Sequence, residues 1–461
     1  MKYQWIIIGA GPGGYQAAIR AAQLEQNVLL IEQGDVGGTC LNLGCIPTKS
    51  LLHSAQSYKA LDSYEQLGIQ VEKWSYDLEK IYERKTQVVE TLRKGVESLI
   101  KQNRITFVAG KALVTGEKQV MVNNETYTGE KILVATGSVP ARIPIEGVDL
   151  PNVITSDELL KEPFTKEHLL IIGGGVIGVE FAGVYSALGK QVTIIEGEKR
   201  ILPLLDREIS QNTAMLLKRN GVKIYTGAKV QRIENTQGLA CVFEAKEQEE
   251  RIQGDTILLA VGRKANTTDL FKAPVSPGME RGYIVTDELG QTNYPWLYAI
   301  GDVTGGLQLA HRASAQGINC VENALGIENP VNQNVIPSCV YTKPEIAVVG
   351  LTQEQAQEEG IETVVGKYVM SGNGRTIIEM GDRGFIKLVF DKSNEVLLGA
   401  HLMCERATDM IDELTLAVAN GLTKEELLRA IRPHPTFCEG ITEAIEGVDG
   451  KAIHVAPVKK R

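Results

Sequence analysis

The chain has 461 residues, enough for about three domains at ~150 residues each. Hydrophobic residues make up 43% and charged residues 23%, and no apolar run reaches the ~20 residues of a bilayer span, which argues against an integral membrane protein. The net charge is −9 and no long basic block occurs, so we expect neither a nucleic-acid nor a membrane partner.

Two further features indicate the compartment and the chemistry. A single basic residue near the start leads directly into a short apolar strand, without the longer apolar region of a signal peptide, and this predicts a cytoplasmic protein. The seven cysteines are too sparse for a structural disulfide framework, so a closely spaced pair indicates redox or metal chemistry.

Two segments share one pattern of strand, glycine-rich turn, helix and strand ending in an acid. The predicted strands and helices are 5–8, 15–24 and 27–31 in the first copy, and 169–172, a helix ending at 188, and 192–195 in the second. The glycines are Gly9, Gly11 and Gly14 in one turn and Gly173, Gly175 and Gly178 in the other. Glu32 and Glu196 each follow the first glycine of their copy by 23 residues (positions 9 and 32, 173 and 196), so the two copies are the same unit.

This unit is typical of dinucleotide binding. The glycines allow a tight turn and let a pyrophosphate approach the helix N-terminus, which in the second copy starts at Val176 and Ile177, while the acid accepts a hydrogen bond from a ribose hydroxyl. Two dinucleotides are therefore expected. Because a carboxylate at Glu196 suits a free 2′-hydroxyl and repels a 2′-phosphate, NAD is favoured over NADP, although Lys199 and Arg200 are close in sequence.

The remaining pattern predicts an α/β protein: two Rossmann-like dinucleotide-binding domains and a separate C-terminal α+β domain. A polar helix is expected at 76–102, and the strands ending near 138 and 263 mark crossings between the two nucleotide domains. From about 335 the chain alternates strands, such as 385–390, with helices at 407–420 and 424–430. We predict domains at 1–143 (first dinucleotide unit), 144–262 (second dinucleotide unit), 263–334 (central) and 335–461 (C-terminal).

Cys40 and Cys45 form the closely spaced pair, five residues apart and soon after the first nucleotide unit. A zinc site would need two more ligands at similar spacing, and the other cysteines are isolated from one another, so we assign no metal. Two inert buried thiols remain an alternative, since a free cysteine is often a core residue. The neighbouring glycines and nucleotide unit favour a redox pair.

The segment 40–49, CLNLGCIPTK, resembles the active-site signature of the flavoprotein disulfide reductases, the class I pyridine nucleotide-disulfide oxidoreductases. Within that family it is most similar to the dihydrolipoamide dehydrogenase branch. The resemblance covers essentially the whole chain, including Ala-Thr-Gly at 135–137, Ala-Val-Gly-Arg at 260–263, Gly-Asp at 301–302 and Leu-Ala-His at 309–311.

The resemblance implies FAD on the first unit, NAD on the second, and a redox disulfide between Cys40 and Cys45. It makes 1–143 the FAD-binding domain, 144–262 the NAD-binding domain, 263–334 the central domain that completes the FAD site, and 335–461 the C-terminal α+β dimerisation domain. It implies that the segment near Asp302 closes over the flavin, and that an ion pair of Lys49 with Glu180 lies near the reactive end of the flavin. The further cofactor contacts that it implies are Gly38, Thr39, Lys49, Ala112, Thr136, Gly137, Ser138, Gln308, Leu309, Ala310, His311, Val230 and Gly262.

The second catalytic element is His434, which is flanked by prolines and followed five residues later by Glu439. Prolines restrict the backbone on both sides of the histidine, and the carboxylate can curl back to its ring. Together with the cysteine pair, these residues resemble the family's His–Glu dyad. In the family the partner subunit contributes this dyad, so the resemblance implies a homodimer with shared active sites.

The activity implied is oxidation of protein-bound dihydrolipoamide to lipoamide with reduction of NAD+ to NADH, in a 2-oxo acid dehydrogenase-type complex whose lipoyl carrier is on a separate chain. The alternative is an NADPH-dependent reductase of a low-molecular-weight disulfide, like glutathione reductase. A non-catalytic scaffold would need neither the cysteine pair nor the dyad. Four positions depart from the family pattern: Ala265, Gln316, Lys343 and Arg432.

Overall fold

The computed structural model describes residues 2–381 and 383–456. Within them the strands are β1 Lys2–Ile8, β2 Val28–Glu32, β3 Thr106–Ala109, β4 Leu113–Gly116, β5 Gln119–Val122, β6 Glu125–Val134, β7 Ser138–Pro140, β8 Val153–Thr155, β9 His168–Ile172, β10 Gln191–Glu196, β11 Lys223–Thr226, β12 Lys229–Glu234, β13 Ala240–Ala245, β14 Gln248–Gln253, β15 Thr256–Leu259, β16 Arg263–Ala265, β17 Met279–Glu280, β18 Tyr283–Ile284, β19 Leu297–Ala299, β20 Ser338–Val340, β21 Glu345–Gly350, β22 Thr363–Val369, β23 Phe385–Asp391 and β24 Leu397–Cys404.

The helices are α1 Pro12–Gln23, α2 Gly38–Leu43, α3 Cys45–Ala60, α4 Leu78–Gln102, α5 Ser156–Lys161, α6 Val176–Ala187, α7 Arg207–Arg219, α8 Ala310–Asn323, α9 Gln353–Glu358, α10 Gly374–Ile378, α11 Ala407–Ala419, α12 Lys424–Leu428 and α13 Glu439–Gly447. Short 3₁₀ helices lie at Leu61–Leu67, Gly301–Thr304 and Met370–Gly372. The predicted long helix at 76–102 is α4, which begins after Asp77, whose side chain accepts from the backbone N–H of Lys80.

The chain divides into two compact units. The first contains the chain up to Glu167, Ile233–Leu239 and Asp255–Gln333, and the second contains His168–Arg232, Ala240–Gly254 and the chain from Asn334 onward. Each unit holds one copy of the glycine-rich repeat. The four domain limits expected from the sequence are finer than this division, and they stay a prediction.

The first unit is built on a sheet with the strand order β3-β2-β1-β6-β5-β4, with β19 also paired to β6. Strands β3, β2, β1 and β6 run parallel, and β5 and β4 continue antiparallel. The β2 sequence, VLLIE, is buried except at its last residue, as expected for a parallel strand covered on both faces. Because β1 and β2 are parallel neighbours, the turns that follow their carboxyl ends lie at one edge of the sheet.

Helices α1 and α8 pack against each other in this unit at close range. A Cβ on Gly317 of α8 would lie 2.5 Å from the carbonyl oxygen of Gly13 in α1, so the crossing needs glycine there. The N-terminal part of α8 thereby lies beside the helix that follows the first glycine-rich turn.

The second unit combines a parallel part and an antiparallel sheet. Strand β10 lies between β9 and β11, all parallel, and β13 and β14 form an antiparallel hairpin. The C-terminal sheet has the order β20-β21-β24-β23-β22 and is antiparallel throughout. Helix α11 packs on β21 and β24, and α13 packs on β22 and β23, around a core of residues such as Leu388, Leu402 and Ile441.

A buried ion pair ties the nucleotide-binding part of the second unit to its C-terminal sheet. Asp206 caps α7 through hydrogen bonds from the N–H groups of Glu208 (2.9 Å) and Ile209 (3.4 Å), and its other oxygen is 2.7 Å from Nζ of Lys387 in β23. The Asp206 side chain is fully buried and that of Lys387 is 11% exposed. Burial alone would raise the pKa of Asp206, but the hydrogen bond and charge of Lys387 outweigh it and lower that pKa.

His401 lies opposite Lys387 in the paired strands β23 and β24, and its Nε2 is 3.0 Å from the carbonyl oxygen of Leu351. Burial lowers the pKa of His401. Since both Asp206 and His401 have lowered pKa values in the folded chain, the unfolded chain binds protons first as the pH falls. Their contribution to stability is therefore present near neutral pH and is lost on acidification.

We expect Asp206→Ala to destabilise the second unit by about 3–5 kcal/mol, because it removes the α7 cap and leaves Lys387 buried without its partner. The matched control is Glu362→Ala, which removes the acid of an exposed pair with Lys392 and should leave the unfolding midpoint nearly unchanged. Urea unfolding followed by circular dichroism at neutral pH measures both. Equal midpoints for the two variants would contradict a stabilising role for the buried pair.

Candidate active site

The first glycine-rich turn joins β1 to α1. Gly9 has φ +102°, and a Cβ on Gly14 would lie 1.8 Å from the carbonyl oxygen of Gly9, so a side chain fits at neither position. Helix α1 begins at Pro12, where a missing N–H costs no hydrogen bond and the fixed φ favours a helix start. The first amides of the helix surround the turn, where an anion can accept from them.

Glu32, at the end of β2, braces this turn. Its Oε2 accepts from the backbone N–H of Ala10 at 2.6 Å, and its Oε1 accepts from that of Gly34 at 2.8 Å. A carboxylate has about four acceptor positions, so capacity remains for the ribose hydroxyl that the sequence pattern predicts. The bracing contacts were not foreseen from the sequence.

The second turn, between β9 and α6, repeats the same arrangement. Gly173 has φ +108°, and a Cβ on Gly178 would lie 2.0 Å from the carbonyl oxygen of Gly173. Glu196 accepts from the N–H of Gly174 at 2.5 Å and from the N–H of Glu198 at 2.6 Å. Each acid thus bonds the residue after the first glycine and the residue two positions after itself, so the two copies match in their contacts as well as in sequence.

The space at these turns fits bound dinucleotides. A Cβ on Gly175, directly before α6, would meet no atom within 4 Å, and one on Gly11 would find its nearest atom, Cα of Gly38, at 3.9 Å. In the first unit, Nε2 of Gln308 is buried and finds no hydrogen-bond partner among the described residues. An open helix N-terminus and an unsatisfied buried amide are what a cofactor with phosphates and polar rings would complete.

Arg200, one of the two cations near Glu196, is directed towards its own loop. Its Nη2 donates to the carbonyl oxygens of Pro203 (2.9 Å) and Leu205 (3.2 Å). This engagement favours a nucleotide without a 2′-phosphate, because the arginine is occupied by backbone carbonyls.

Of the other predicted contacts, Val230 lies half-buried in β12, and Gly262 lies directly before β16 with φ +103°.

The cysteine pair lies at the junction of α2 and α3. Cys40 is within α2 and Cys45 is the first residue of α3, with Gly44 between the two helices. Both are partly buried. A hydrogen bond between the two side chains raises the pKa of Cys40, burial raises it further, and the charge of Lys49 on α3 opposes both. The two thiols therefore interact directly, as a reversible disulfide requires.

A polar network holds the predicted flavin-side residues in the first unit. Oγ of Ser138 donates to Oδ2 of Asp302 at 2.6 Å, and Arg263 donates from Nε to that same Oγ (2.8 Å) and from Nη2 to the Ser138 carbonyl oxygen (2.8 Å). Nη2 of Arg263 also lies 3.5 Å from Oγ1 of Thr39, directly before Cys40. Arg263 belongs to the Ala-Val-Gly-Arg motif at 260–263, but the sequence analysis does not include it among the site residues. Its position directly after Gly262 is the sequence feature that could have indicated a role in the site.

The remaining predicted contacts of the first unit lie around the same strand ends. Oγ1 of Thr136 donates to the Asn266 carbonyl oxygen at 2.8 Å, and the Gly137 carbonyl accepts from the Asn266 N–H at 2.9 Å. Ala112 is buried just before β4. Gln308 and Leu309 lie directly before α8, and Ala310 and His311 are its first two residues.

The His434–Glu439 pair is assembled directly before and at the start of α13. Nδ1 of His434 is 2.8 Å from Oε1 of Glu439, whose Oε2 accepts from the Thr436 N–H at 2.8 Å. Burial alone would raise the pKa of Glu439, but the Thr436 N–H and the hydrogen bond and charge of His434 lower it. The His434 side chain is 80% exposed in the single chain.

Two contacts that support the dyad were missed in the sequence. Nδ2 of Asn373 donates to the Thr436 carbonyl oxygen at 2.9 Å, from 63 residues away. Arg432 donates to Oγ1 of Thr442 at 2.8 Å and pairs with Glu413. The arginine at this departure from the family pattern thus anchors the segment that precedes the histidine.

The predicted partners Lys49 and Glu180 belong to different units. Glu180 is buried in α6, and its Oε1 accepts from the Tyr341 N–H at 3.0 Å. The ion pair between Lys49 and Glu180 stays a prediction.

The described residues contain neither a membrane-spanning helix nor a metal-binding cluster. No helix among them is both long and apolar enough to cross a bilayer. In the same residues, no group of three or more His, Cys, Asp or Glu side chains is arranged to hold a metal ion.

Comparison with known proteins identifies the family. The model of the pyridine nucleotide-disulphide oxidoreductases matches residues 3–317, and the model of their dimerisation domain matches residues 336–445. The chain belongs to the pyridine nucleotide-disulphide oxidoreductase family. A dihydrolipoyl dehydrogenase of Thermus scotoductus is 41% identical over 98% of this chain and 99% of the relative, and one of Zymomonas mobilis is 37% identical over the same shares.

Solved structures show the same architecture. LpdA from Mycobacterium tuberculosis aligns with a TM-score of 0.88 at 26% identity, and the HOCl-induced flavoprotein disulfide reductase RclA from Escherichia coli aligns with a TM-score of 0.84 at 32% identity. Each alignment covers 96% of this chain and 99% of the other chain. The predicted family, α/β fold class, FAD-dependent oxidoreductase activity and cofactors FAD and NAD are confirmed, and the dimerisation domain supports a homodimer.

We expect Glu196→Gln to lower the preference for NADH over NADPH by about 10-fold. The amide keeps an acceptor for the Gly174 N–H, but it forms a weaker hydrogen bond to the 2′-hydroxyl and does not repel a 2′-phosphate. Steady-state reduction of an artificial acceptor by each nucleotide measures the ratio. The matched control is Glu32→Gln in the first copy, which should weaken FAD retention and leave the nucleotide ratio unchanged. An equal change of the ratio in both variants would contradict the assignment of Glu196.

Proposed function

We propose that this chain is a dihydrolipoyl dehydrogenase, which oxidises protein-bound dihydrolipoamide through Cys40 and Cys45 and reduces NAD+. The observation that carries the proposal is the direct interaction of the two cysteine thiols at the α2–α3 junction, next to the first nucleotide turn. In this proposal residues 1–143 and 263–334 bind FAD, 144–262 bind NAD, and 335–461 form the interface.

The proton of the substrate is handled by the dyad. His434 accepts a proton from one thiol of dihydrolipoamide, while Glu439, bonded to the other ring nitrogen, orients the imidazole and stabilises its positive charge. The thiolate is the reactive species in disulfide exchange, so proton removal precedes attack. The lowered pKa of Glu439 keeps it as a carboxylate when it pairs with the protonated ring.

Disulfide exchange then transfers two electrons to the cysteines. The substrate thiolate attacks the Cys40 sulfur of the Cys40–Cys45 disulfide, and Cys45 leaves as a thiolate. His434 releases its first proton to solvent and accepts the proton of the second substrate thiol, whose thiolate attacks the substrate sulfur bound to Cys40 and releases lipoamide. Cys40 leaves as a thiolate and receives a proton from His434. The enzyme then holds a Cys40 thiol and a Cys45 thiolate.

The chain's own residues provide positioning and charge for the onward electron transfer. FAD, when bound, supplies the two-electron chemistry that passes the electrons from the cysteines to NAD+ as a hydride. Glu32 and the first glycine turn would hold its adenosine half, and Ser138, Asp302 and Gln308 would hold the remainder. Lys49 is placed near the cysteines, where its charge lowers the pKa of Cys40, and we propose that it pairs with Glu180 beside the flavin.

The exposure of the dyad supports a shared active site. A histidine that is 80% exposed lacks the enclosed surroundings in which proton transfer is efficient. The surface of the C-terminal part also carries exposed apolar residues, a composition typical of a protein interface. These residues are Ile377, Ile378, Leu416, Leu428, Ile431 and Ile453. We propose that a second subunit covers this surface, and that the dyad of one subunit serves the cysteine pair of its partner.

The physiological partner in this proposal is a lipoyl-bearing carrier domain on a separate chain. Five of the seven cysteines lie outside the redox pair and are isolated from one another in sequence, which supports a reducing compartment such as the cytoplasm. The relatives named dihydrolipoyl dehydrogenase favour this substrate over a low-molecular-weight disulfide.

Anaerobic titration of the purified protein with dihydrolipoamide, followed by NAD+, tests the activity. We expect a long-wavelength absorbance band as the cysteines become reduced, and then NADH. Cys45→Ser should lower the rate of dihydrolipoamide oxidation by at least ~1,000-fold, because no disulfide can form. The variant should retain NADH-dependent reduction of an artificial acceptor. If dihydrolipoamide leaves the flavin oxidised, while NADPH reduces it and glutathione disulfide reoxidises it, the alternative reductase activity replaces the proposal.

A second prediction concerns the shared site. Ile431 is 98% exposed and lies three residues before His434, so Ile431→Asp should place a charge in the proposed interface. We expect the mass to shift from a dimer towards the 50.2 kDa chain, with dihydrolipoamide oxidation lost and acceptor reduction by NADH kept. Leu204→Asp is the matched control, because Leu204 is 83% exposed outside the C-terminal part. Light scattering with activity assays measures both, and full activity of a monomer would contradict the shared site.

A further inference from the structure

A second histidine–carboxylate pair lies one helical turn beyond the dyad. Glu443 follows Glu439 by four residues in α13, so the two carboxylates share one face of the helix. Both oxygens of Glu443 bond to His454: Oε1 is 2.7 Å from Nδ1, and Oε2 accepts from the backbone N–H at 3.0 Å. The Glu443 side chain is 11% exposed and that of His454 is 70% exposed.

The charges of Glu443 and His454 act on the His434–Glu439 dyad. Two carboxylates at i and i+4 repel each other, and an added negative charge near an imidazole favours its protonated form. The hydrogen bond and charge of Glu443 raise the pKa of His454, and the charge of His454 in turn contributes to lowering the pKa of Glu439. The cation on His454 therefore offsets the second carboxylate on the helix.

Among the described residues, the other charged or titratable groups around α13 do not provide this compensation. Tyr368 on β22 faces both carboxylates, and burial together with their charges raises its pKa, so it stays neutral. The pairs on the neighbouring elements each combine opposite charges: Arg432 with Glu413, Lys424 with Glu395 and Asp449, Lys451 with Asp449, and Lys367 with Glu208.

We propose that His454 is a positioning residue of the active site: paired with Glu443, it neutralises the second carboxylate of α13 and so sets the pH at which His434 accepts a proton. The inference rests on the proposed function for its catalytic meaning. The Glu443–His454 pair affects the charge around His434 whichever thiol or disulfide the enzyme uses.

The test uses three variants of the holoenzyme. His454→Asn keeps a side-chain N–H for Glu443 but removes the cation, so it should make His434 easier to protonate and move the acid limb of kcat/KM for dihydrolipoamide to higher pH. Adding Glu443→Gln to that variant removes the uncompensated carboxylate and should return the pKa of His434 to its starting value. Lys392→Gln, which removes one cation from an exposed pair elsewhere in the same domain, should change nothing.

Two readouts separate this inference from the proposed function. Nuclear magnetic resonance titration of ¹³Cε1-labelled histidines, with His434 assigned from a His434→Gln variant, reports its pKa without any substrate. The acid limb of kcat/KM for dihydrolipoamide should move in parallel with that pKa. An unchanged pKa of His434 in the single variant, or a shift that persists in the double variant, overturns the inference. The expected pKa pattern without any dihydrolipoamide activity would support the pairing and reject the proposed function.

A merely structural role for His454 predicts a different pattern. If the residue only fastened the segment after α13, Glu443→Gln would add to the damage of His454→Asn, because it weakens the same contacts. Restoration of the pKa and of the acid limb in the double variant is expected only if the charge is what matters. Glu443→Gln alone should leave the pKa of His434 near its starting value, since His454 then loses the partner that raises its own pKa.

Discussion

The close backbone approach at the two glycine-rich turns is the constraint on which the nucleotide sites depend. At each turn a Cβ on the helix glycine, Gly14 or Gly178, would lie 1.8 or 2.0 Å from the carbonyl oxygen of the first glycine, so only glycine allows the helix to approach this closely. The acid at the end of the next strand then reaches the backbone N–H behind the first glycine and fixes the turn. Strand order, helix start and acid position therefore form one unit, which explains why the chain uses it twice.

The sequence predicted this unit well because all of its parts lie within about 30 residues. The spacing of glycine and acid indicated equivalent copies, and the structure shows equivalent hydrogen bonds from Ala10 and Gly174. Helix positions were also close where periodicity was strong: the helix expected at 407–420 is Ala407–Ala419. The helix expected from 15 begins earlier, at Pro12, because proline is favoured at the first helical position, where its missing N–H and fixed φ suit a helix start.

Contacts between distant segments could not be predicted in the same way. Arg263 and Ser138 are 125 residues apart, and Lys387 and Asp206 are 181 apart, so no local pattern links them. A single charged residue in a sequence reads as a solvated surface group, and only the fold shows that Lys387 and Asp206 are buried together. One departure from the family pattern is explained in the same way, since the Gln316 side-chain oxygen accepts from the Gly301 N–H at 2.9 Å, a contact that an amide makes as well as a carboxylate.

The charges around the dyad acquire their full effect only when water is displaced. In the single chain His434 and His454 are 80% and 70% exposed, and solvent and salt screen interactions between such groups. A second subunit lying on the exposed apolar surface would lower the local dielectric and strengthen each interaction of the His434 ring. Association would therefore do more than bring the proton acceptor to the cysteine pair, because it would also raise the cost of any unbalanced charge beside that acceptor. A neutralised Glu443 matters most in the assembled site, which gives a physical reason for a second histidine bonded to this helix.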